Sequence, residues 1–144
     1  MKSAHVSKEQ FKTRINTLEA NLSNFACISI TDPCEMKVSL SPYWSKSLAL
    51  SFLDIDIDTL PYCFTKDMAR QVIQYLLEVF QDLNVNTLYV HCHAGISRSR
   101  AIHNFFQYYI VENELMKANP PSFVGNSKVY STLVEVYLTE FKTE

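Results

Sequence analysis

The fold is decided by residues 87–99, which read TLYVHCHAGISRS. The first four residues form a short apolar, β-prone run that is typical of a buried strand. From Ser99 to Met116, apolar side chains recur at helical spacing: Ile102, Phe105, Phe106, Tyr109 and Ile110. This pattern predicts a strand, a tight loop and then a helix.

The loop between strand and helix contains Cys92 and Arg98, separated by five residues. A helix N-terminus presents unpaired N–H groups and a partial positive charge, which suit an anion. Gly95 lets the backbone bend so that successive amides turn inward, and the planar guanidinium of Arg98 suits two phosphate oxygens. We therefore expect a phosphate-sized anion to be bound by the loop residues His93, Ala94, Gly95, Ile96, Ser97 and Arg98.

The same positive field is expected to act on the Cys92 thiol. Helix N-termini and nearby cations lower the pKa of a cysteine from about 8.5 to roughly 3.5–7.5. Cys92 would then be a thiolate at neutral pH, able to attack phosphorus. Ser99 is expected to donate a hydrogen bond to this thiolate and to help it leave, and His91 to orient the loop rather than to act as a base.

Two other interpretations of these residues are open. A lone cysteine at a strand end is usually a small buried hydrophobic residue. His91, Cys92 and His93 together could instead bind a metal ion, but the sequence has no second cysteine and histidine cluster at zinc-like spacing. We therefore expect no metal and no cofactor.

Residues 91–99 resemble the signature of cysteine-dependent protein tyrosine and dual-specificity phosphatases. They are most similar to the dual-specificity branch and its compact microbial, phage-type relatives. Weaker similarity covers roughly residues 25–140, in the segments ISITDP (28–33), LSFLDI (50–55) and NPPSF (119–123). Arg100 departs from the pattern, in which a small residue or proline is usual. The resemblance implies metal-independent hydrolysis of phosphate esters through a phosphocysteine.

Phosphoryl transfer also needs a proton for the leaving oxygen, which a neutral aspartic acid in the site would supply. Residues 52–58 read FLDIDID, and alternation places Asp54, Asp56 and Asp58 on one face if the strand continues. A solvated strand edge or turn is the other interpretation of these carboxylates. By the resemblance, in which a strand ends in an Asp-Ile pair, Asp54 is the first choice of catalytic acid, followed by Asp56 and then Asp58.

Composition bounds the class of protein. The chain has 144 residues, enough for one domain with a single core, and 47% of them are hydrophobic, which favours a packed globular fold. A net charge of −2 argues against a general binder of nucleic acids or anionic membranes. The N-terminus lacks the apolar segment of a secretory signal, and no run is long and apolar enough to span a bilayer. We expect a phosphorylated protein as the partner, with no nucleic acid and no membrane; the oligomeric state stays open.

The four cysteines are Cys27, Cys34, Cys63 and Cys92. Because a reactive thiolate needs a reducing compartment, we expect free thiols and a cytoplasmic protein. Each of the other three could trap an oxidised Cys92 as a disulfide, although simple buried or surface thiols are the commoner outcome.

Periodicity and turn residues predict the remaining elements. Ser7 and Gln10 form a capping-box pattern, which opens a helix ending near Asn24. The further elements are a buried strand at 25–31, a loop at 39–47, a strand at 48–53, a helix from Thr65 to about Leu83, a turn at 84–86 and a last helix at 127–141. Strands alternating with helices predict an α/β fold with a largely parallel central sheet, in which ligands bind beyond the carboxyl ends of the strands. The whole chain, residues 1–144, is expected to form a single phosphatase domain.

These observations favour a protein phosphatase acting on phosphotyrosine. The short chain leaves little room for extra lids, which favours a shallow site that also admits phosphoserine and phosphothreonine. Phosphoinositide phosphatases of the superfamily that this loop resembles often have basic residues at these positions, whereas residues 93–97 contain no lysine. The resemblance therefore disfavours a phosphoinositide substrate, and the mild acidity disfavours an RNA 5′-triphosphatase. A non-catalytic phosphoprotein-binding module is the alternative of a different class. Such modules usually lack the cysteine, the arginine or the acid, and all three are available here.

Overall fold

The computed structural model describes residues 1–17, 20–56, 62–112 and 124–142. Within these residues, four strands form one parallel sheet. The strands are β1 (Lys2–Ser7), β2 (Phe25–Thr31), β3 (Lys46–Ser51) and β4 (Thr87–Cys92). Their order is β1-β4-β2-β3, so β4 lies inside the sheet between β1 and β2.

The helices flank this sheet, and three of them continue as π-helical turns. They are α1 (Lys8–Gln10, continued at Phe11–Ile15), α2 (Lys66–Gln81), α3 (Arg98–Phe105, continued at Phe106–Val111) and α4 (Ser127–Val136, continued at Tyr137–Phe141). Ser7 and Gln10 form the predicted capping box, and the Thr65 hydroxyl accepts a hydrogen bond from Met68 N at the start of α2. No helix in the described part of the chain is long and apolar enough to cross a membrane.

Both faces of the sheet are buried, as expected for parallel strands. On one face, Ala26, Ile28 and Ile30 of β2 belong to the large core formed with α2, α3 and α4. On the other face, Cys27 packs in a smaller cluster with Phe11, Leu22 and Trp44. The predicted α/β class with a parallel sheet is therefore confirmed.

The strand ends place the candidate site. Ser7 pairs with Cys92, and Thr31 pairs with Ser51, so the carboxyl ends of all four strands meet at one edge. The loop predicted to bind an anion begins at this edge, between β4 and α3. Ligands of open α/β sheets bind at this kind of edge.

Three elements differ from the sequence prediction. The first helix ends at Ile15 rather than near Asn24, because Asn16 leaves the helix and its side chain accepts hydrogen bonds from Ser41 N and Trp44 Nε1. Trp44, in the loop that precedes β3, is therefore buried. Strand β1 was not predicted, since its sequence KSAHVS is largely polar and lacks an apolar alternation.

The third difference concerns the acidic segment. Strand β3 starts at Lys46 and ends at Ser51, two residues before the predicted end. Asp54 and Asp56 therefore lie in a loop, and the expectation that strand alternation aligns them is wrong. Asp58 and residues 119–123 lie outside the described residues.

Candidate active site

Cys92 is the last residue of β4, and its side chain is buried. It faces a cavity of about 450 Å³ at the carboxyl edge of the sheet. The cavity is lined by Asp32, Leu53, Asp54, Ile55, Cys92, His93, Ala94, Ile96, Ser97 and Arg98. Five of the six predicted anion-binding residues line it, and the sixth, Gly95, donates its backbone N–H to Cys92 Sγ at 3.3 Å.

Two opposing effects set the protonation of Cys92. Burial, the largest effect, raises the pKa of the thiol. Hydrogen bonds from the Ser99 hydroxyl and from the backbone N–H groups of Ser99, Gly95 and Ser97 lower it, and together they outweigh burial. The Ser99 Oγ atom lies 3.2 Å from Sγ. The pKa of Cys92 is therefore below its ordinary value, and the amides that lower it converge on one point as an anion site requires.

The loop packs against β1 and the start of α1, which hold its backbone in place. Gly95 has φ +79°, and a Cβ there would lie 2.5 Å from the backbone carbon of Val6. The His5 ring donates from Nδ1 to the Gly95 carbonyl at 2.6 Å, and Lys8 N donates to the His93 carbonyl at 3.0 Å. Only glycine fits this left-handed position so close to another backbone.

His91 is buried beneath the loop and stacks on Phe11, with 4.3 Å between ring centroids. Its Nδ1 donates to the Cys92 carbonyl at 3.3 Å, so in the neutral ring Nε2 accepts from the Ser29 hydroxyl at 2.6 Å. Burial lowers the pKa of His91 to about 4. The ring is therefore neutral at pH 7, with both nitrogens occupied in anchoring the end of β4.

Arg98 is buried at the start of α3, and one of its nitrogens holds its position. Nη1 donates to Asp32 Oδ1 and to the Phe52 carbonyl, both at 2.7 Å. The buried Nε atom has no partner among the described residues. An unpaired buried donor is costly, and a bound anion would satisfy it.

Asp32 was not identified as a site residue from the sequence, where it appeared only within the segment ISITDP (28–33). It follows β2 directly, and its backbone N–H donates to Glu35 Oε1 at 2.7 Å. Glu35 is also paired with Lys8 at 2.9 Å, and these contacts hold the pKa of Glu35 below its usual range. The sequence did contain one signal for Asp32, its position directly after a predicted strand. The carboxyl ends of neighbouring parallel strands meet at one edge of the sheet, where ligands bind.

Of the predicted acids, the structure places Asp54 in the cavity of Cys92. Asp54 Oδ1 accepts from the Ser97 hydroxyl and from Asn126 Nδ2, both at 2.7 Å. Its Oδ2 has no hydrogen-bond partner within the described part of the chain. Asp56 lines a neighbouring cavity of about 450 Å³ rather than that of Cys92.

Ser97 is the N-cap residue of α3, yet its side chain caps nothing. Its hydroxyl is directed to Asp54 instead. The first N–H groups of α3 are thus left to the loop interior, where those of Ser97 and Ser99 already contact Cys92. The arrangement brings together a buried thiol of lowered pKa, backbone amides that converge on it, a buried guanidinium and a carboxyl group.

The remaining cysteines are free thiols: Cys27 and Cys63 are buried, and Cys34 is exposed. Burial raises the pKa of Cys27, which makes it a poor nucleophile. Among residues 1–17, 20–56, 62–112 and 124–142, no group of three or more His, Cys, Asp or Glu side chains could hold a metal ion.

Comparison with known proteins supports the fold. A solved human structure, described as a tyrosine phosphatase-like serine/threonine/tyrosine-interacting protein, superposes with a TM-score of 0.52 and 19% identity. The match covers 81% of this chain and 80% of that chain. No protein-family profile and no curated protein matches the sequence. At this identity the likeness concerns architecture: the chain has a phosphatase-like α/β fold.

Proposed function

We propose that the chain, as a single domain, is a cysteine-dependent phosphatase that removes phosphate from phosphotyrosine in proteins. One observation carries the proposal: loop amides converge on the Cys92 sulfur, and Arg98, which lines the same cavity, has a buried Nε with no partner among the described residues. This donor set fits a tetrahedral dianion bound against a nucleophile. Asp54 lines the same cavity and supplies the acid.

In the first step, the Cys92 thiolate attacks phosphorus in line with the ester oxygen. The P–S bond forms as the P–O bond breaks, and the Asp54 carboxyl transfers its proton to the leaving phenolate oxygen. Arg98 and the loop amides stabilise the charge on the three equatorial oxygens. The fixed position of Arg98, through Asp32 and Phe52, means that little reorganisation is needed during the reaction.

In the second step, water attacks the phosphocysteine and passes its proton to the Asp54 carboxylate. The P–S bond breaks, and the electron pair returns to sulfur as a thiolate. Ser99, whose hydroxyl oxygen lies 3.2 Å from Sγ, donates a hydrogen bond to this leaving group. Inorganic phosphate leaves, and both catalytic side chains regain their starting protonation.

The walls of the cavity support phosphotyrosine as the principal substrate. Leu53, Ile55 and Ile96 line it, and Ile96 is largely exposed at the mouth. These apolar side chains would contact a phenyl ring while the phosphate reaches the loop. Phosphoserine and phosphothreonine would reach the same loop with fewer apolar contacts, so we propose weaker activity toward them.

A non-catalytic phosphoprotein-binding module is the second candidate. The observation that favours it is the solved relative, whose description names an interacting protein that is phosphatase-like. The same loop would then hold a phosphoryl group without turning it over.

Hydrolysis separates the two candidates. The rates of 4-nitrophenyl phosphate, phenyl phosphate and phosphotyrosine-peptide hydrolysis would be measured with EDTA for wild type, Cys92→Ser, Asp54→Asn and Asp56→Asn. We expect no turnover by Cys92→Ser with binding retained. Loss of the acid should slow phenyl phosphate by about 10²- to 10⁴-fold in Asp54→Asn. Asp56→Asn, the matched carboxylate control, should stay close to wild type.

Three results would change the proposal. Unchanged hydrolysis by Cys92→Ser would exclude Cys92 as the nucleophile. Phosphopeptide binding by an inactive wild type would establish the binding module. Turnover limited to phosphoinositides or triphosphate-ended RNA would move the substrate to those classes.

A further inference from the structure

Asn126 joins the candidate acid to the last helix and to the loop at residues 93–98, which we call the phosphate loop. Its side chain caps α4, where Oδ1 accepts from Val129 N at 3.0 Å. Its Nδ2 donates to Asp54 Oδ1 at 2.7 Å and to the Ile55 carbonyl at 3.1 Å, and its backbone N–H donates to the Ser97 carbonyl at 3.1 Å. The residue is buried.

The residue before it fixes this corner of the chain. Gly125 has φ +80°, and a Cβ there would lie 2.4 Å from the Ser97 carbonyl oxygen and 2.9 Å from Ala101 N. A side chain at Gly125 would push the corner away from the phosphate loop. Asn126 is therefore held against the site by backbone geometry as well as by its own hydrogen bonds.

The orientation of the Asn126 amide is unambiguous. A backbone N–H can only donate, so the atom facing Val129 N must be the amide oxygen, and the atom facing Asp54 must be the NH₂ group. Asp54 Oδ1 is thus an acceptor toward Asn126. Oδ1 also accepts from the Ser97 hydroxyl, so a proton on Asp54 is best accommodated on Oδ2, the oxygen with no partner among the described residues.

On the basis of the phosphatase function proposed above, we propose that Asn126 is the positioning residue of the acid. It fixes Oδ1 of Asp54 and thereby presents the protonated Oδ2 to the leaving oxygen of the substrate. Asp54 is exposed and lies beyond the end of β3, so without Asn126 the Ser97 hydroxyl would be the one remaining side chain among the described residues that holds its carboxyl group. Misplacement of a catalytic group by about 1 Å can cost on the order of 10²-fold in rate.

The test compares Asn126→Ser with wild type on a poor and a good leaving group. Serine is also a favourable N-cap residue, so α4 keeps its cap while the contact with Asp54 is lost. We expect phenyl phosphate hydrolysis to fall by about 10- to 100-fold, with 4-nitrophenyl phosphate nearly unaffected, because 4-nitrophenolate leaves without a proton. Ser127→Ala, at the adjacent exposed position, is the matched control and should match wild type on both substrates.

A double-mutant cycle with Asp54→Asn separates positioning from structural support. If Asn126 acts through the acid, Asn126→Ser should slow phenyl phosphate no further in the Asp54→Asn background. Alkylation of Cys92 by iodoacetamide should be unchanged by Asn126→Ser. Equal losses on both substrates, or additive losses in the cycle, would overturn the role of Asn126 while leaving the phosphatase function intact. An inactive wild type would instead overturn the proposed function, and this proposal with it.

Discussion

Ser99 and the loop amides act on one atom, the sulfur of Cys92. Burial alone raises the pKa of a thiol, as it does for Cys27, which is also buried and has no such donors in the described part of the chain. At Cys92 the donors reverse the effect of burial. The difference between the two cysteines lies in the hydrogen bonds around each sulfur atom.

Removal of the Ser99 hydroxyl should therefore raise the pKa of Cys92. We expect the pH midpoint of Cys92 alkylation by iodoacetamide to move upward in Ser99→Ala, because the thiolate loses its side-chain donor. Ser97→Ala is the control: its hydroxyl contacts Asp54, and its backbone N–H is retained. An unchanged midpoint in Ser99→Ala would show that the amides alone set the charge.

The sequence predicted those residues of the candidate site that lie together in one short segment. Cys92, Arg98 and Ser99 lie within eight residues, and all three meet at the loop. Two other residues of the site are distant in sequence from their partners. Asp32 lies 66 residues from Arg98, and Asn126 lies 72 residues from Asp54. Local pattern carries no information on such contacts, which depend on strand order and on where α4 begins.

The two glycines lie where one secondary-structure element closely approaches the backbone of another. Gly95 and Gly125 are the only glycines in the sequence. Both have positive φ, and both lie close to backbone atoms of another element. Gly95 meets the end of β1, and Gly125 meets the start of α3. Each lets one element approach the phosphate loop closely enough to support it.

Gly125→Ala should destabilise the protein, although it lies far from the motif in sequence. A left-handed conformation costs a non-glycine residue roughly 1–2 kcal/mol, and the clash with the Ser97 carbonyl adds to this. We expect a lower Tm and slower phosphate-ester hydrolysis, measured by thermal unfolding and steady-state kinetics. Ser131→Ala, at an exposed position of α4, is the control. A Tm equal to that of the control would contradict the packing account.

Element boundaries show why the sequence prediction was partial. Amphipathic patterns gave correct starts for α2 and α4, and the capping side chains Thr65 and Asn126 are adjacent to these helices in sequence. The end of the first helix and the edge strand β1 depend on partners elsewhere. Asn16 bonds a distant loop, and β1 is stabilised by pairing with β4.

Across the whole molecule, two neutral histidines support the sheet edge and α3. Burial lowers the pKa of both His91 and His103 to about 4. An unfolded histidine has a pKa of about 6.5, so the unfolded state binds more protons between these values. Their contribution to stability is complete above pH 6.5 and is lost as the pH falls toward 4.

His91→Gln should therefore lose less unfolding free energy than wild type as the pH falls. Between pH 7 and pH 5, wild type should lose about 2 kcal/mol more unfolding free energy than this variant, measured by urea denaturation at each pH. The exposed His93 provides the control, and His93→Gln should retain the full wild-type loss. A His91→Gln curve parallel to wild type would contradict the neutral, buried histidine.

The α/β class and the parallel sheet were predictable because alternation of strands and helices constrains topology strongly. The position of the phosphate loop followed from the same rule, since it lies after an inner strand. Asp54 was the first choice of acid by resemblance, whereas its position in a loop rather than on a strand did not follow from the sequence pattern.

The central claim is that Cys92 forms a covalent bond to phosphorus. The most direct test mixes wild type with excess 4-nitrophenyl phosphate, quenches the reaction within milliseconds in alkaline denaturant, and maps phosphorylated peptides by mass spectrometry. We expect one phosphoryl group on the peptide that contains Cys92, and none in Cys92→Ser. Turnover with no phosphocysteine, or with the phosphoryl group on another residue, would contradict the account.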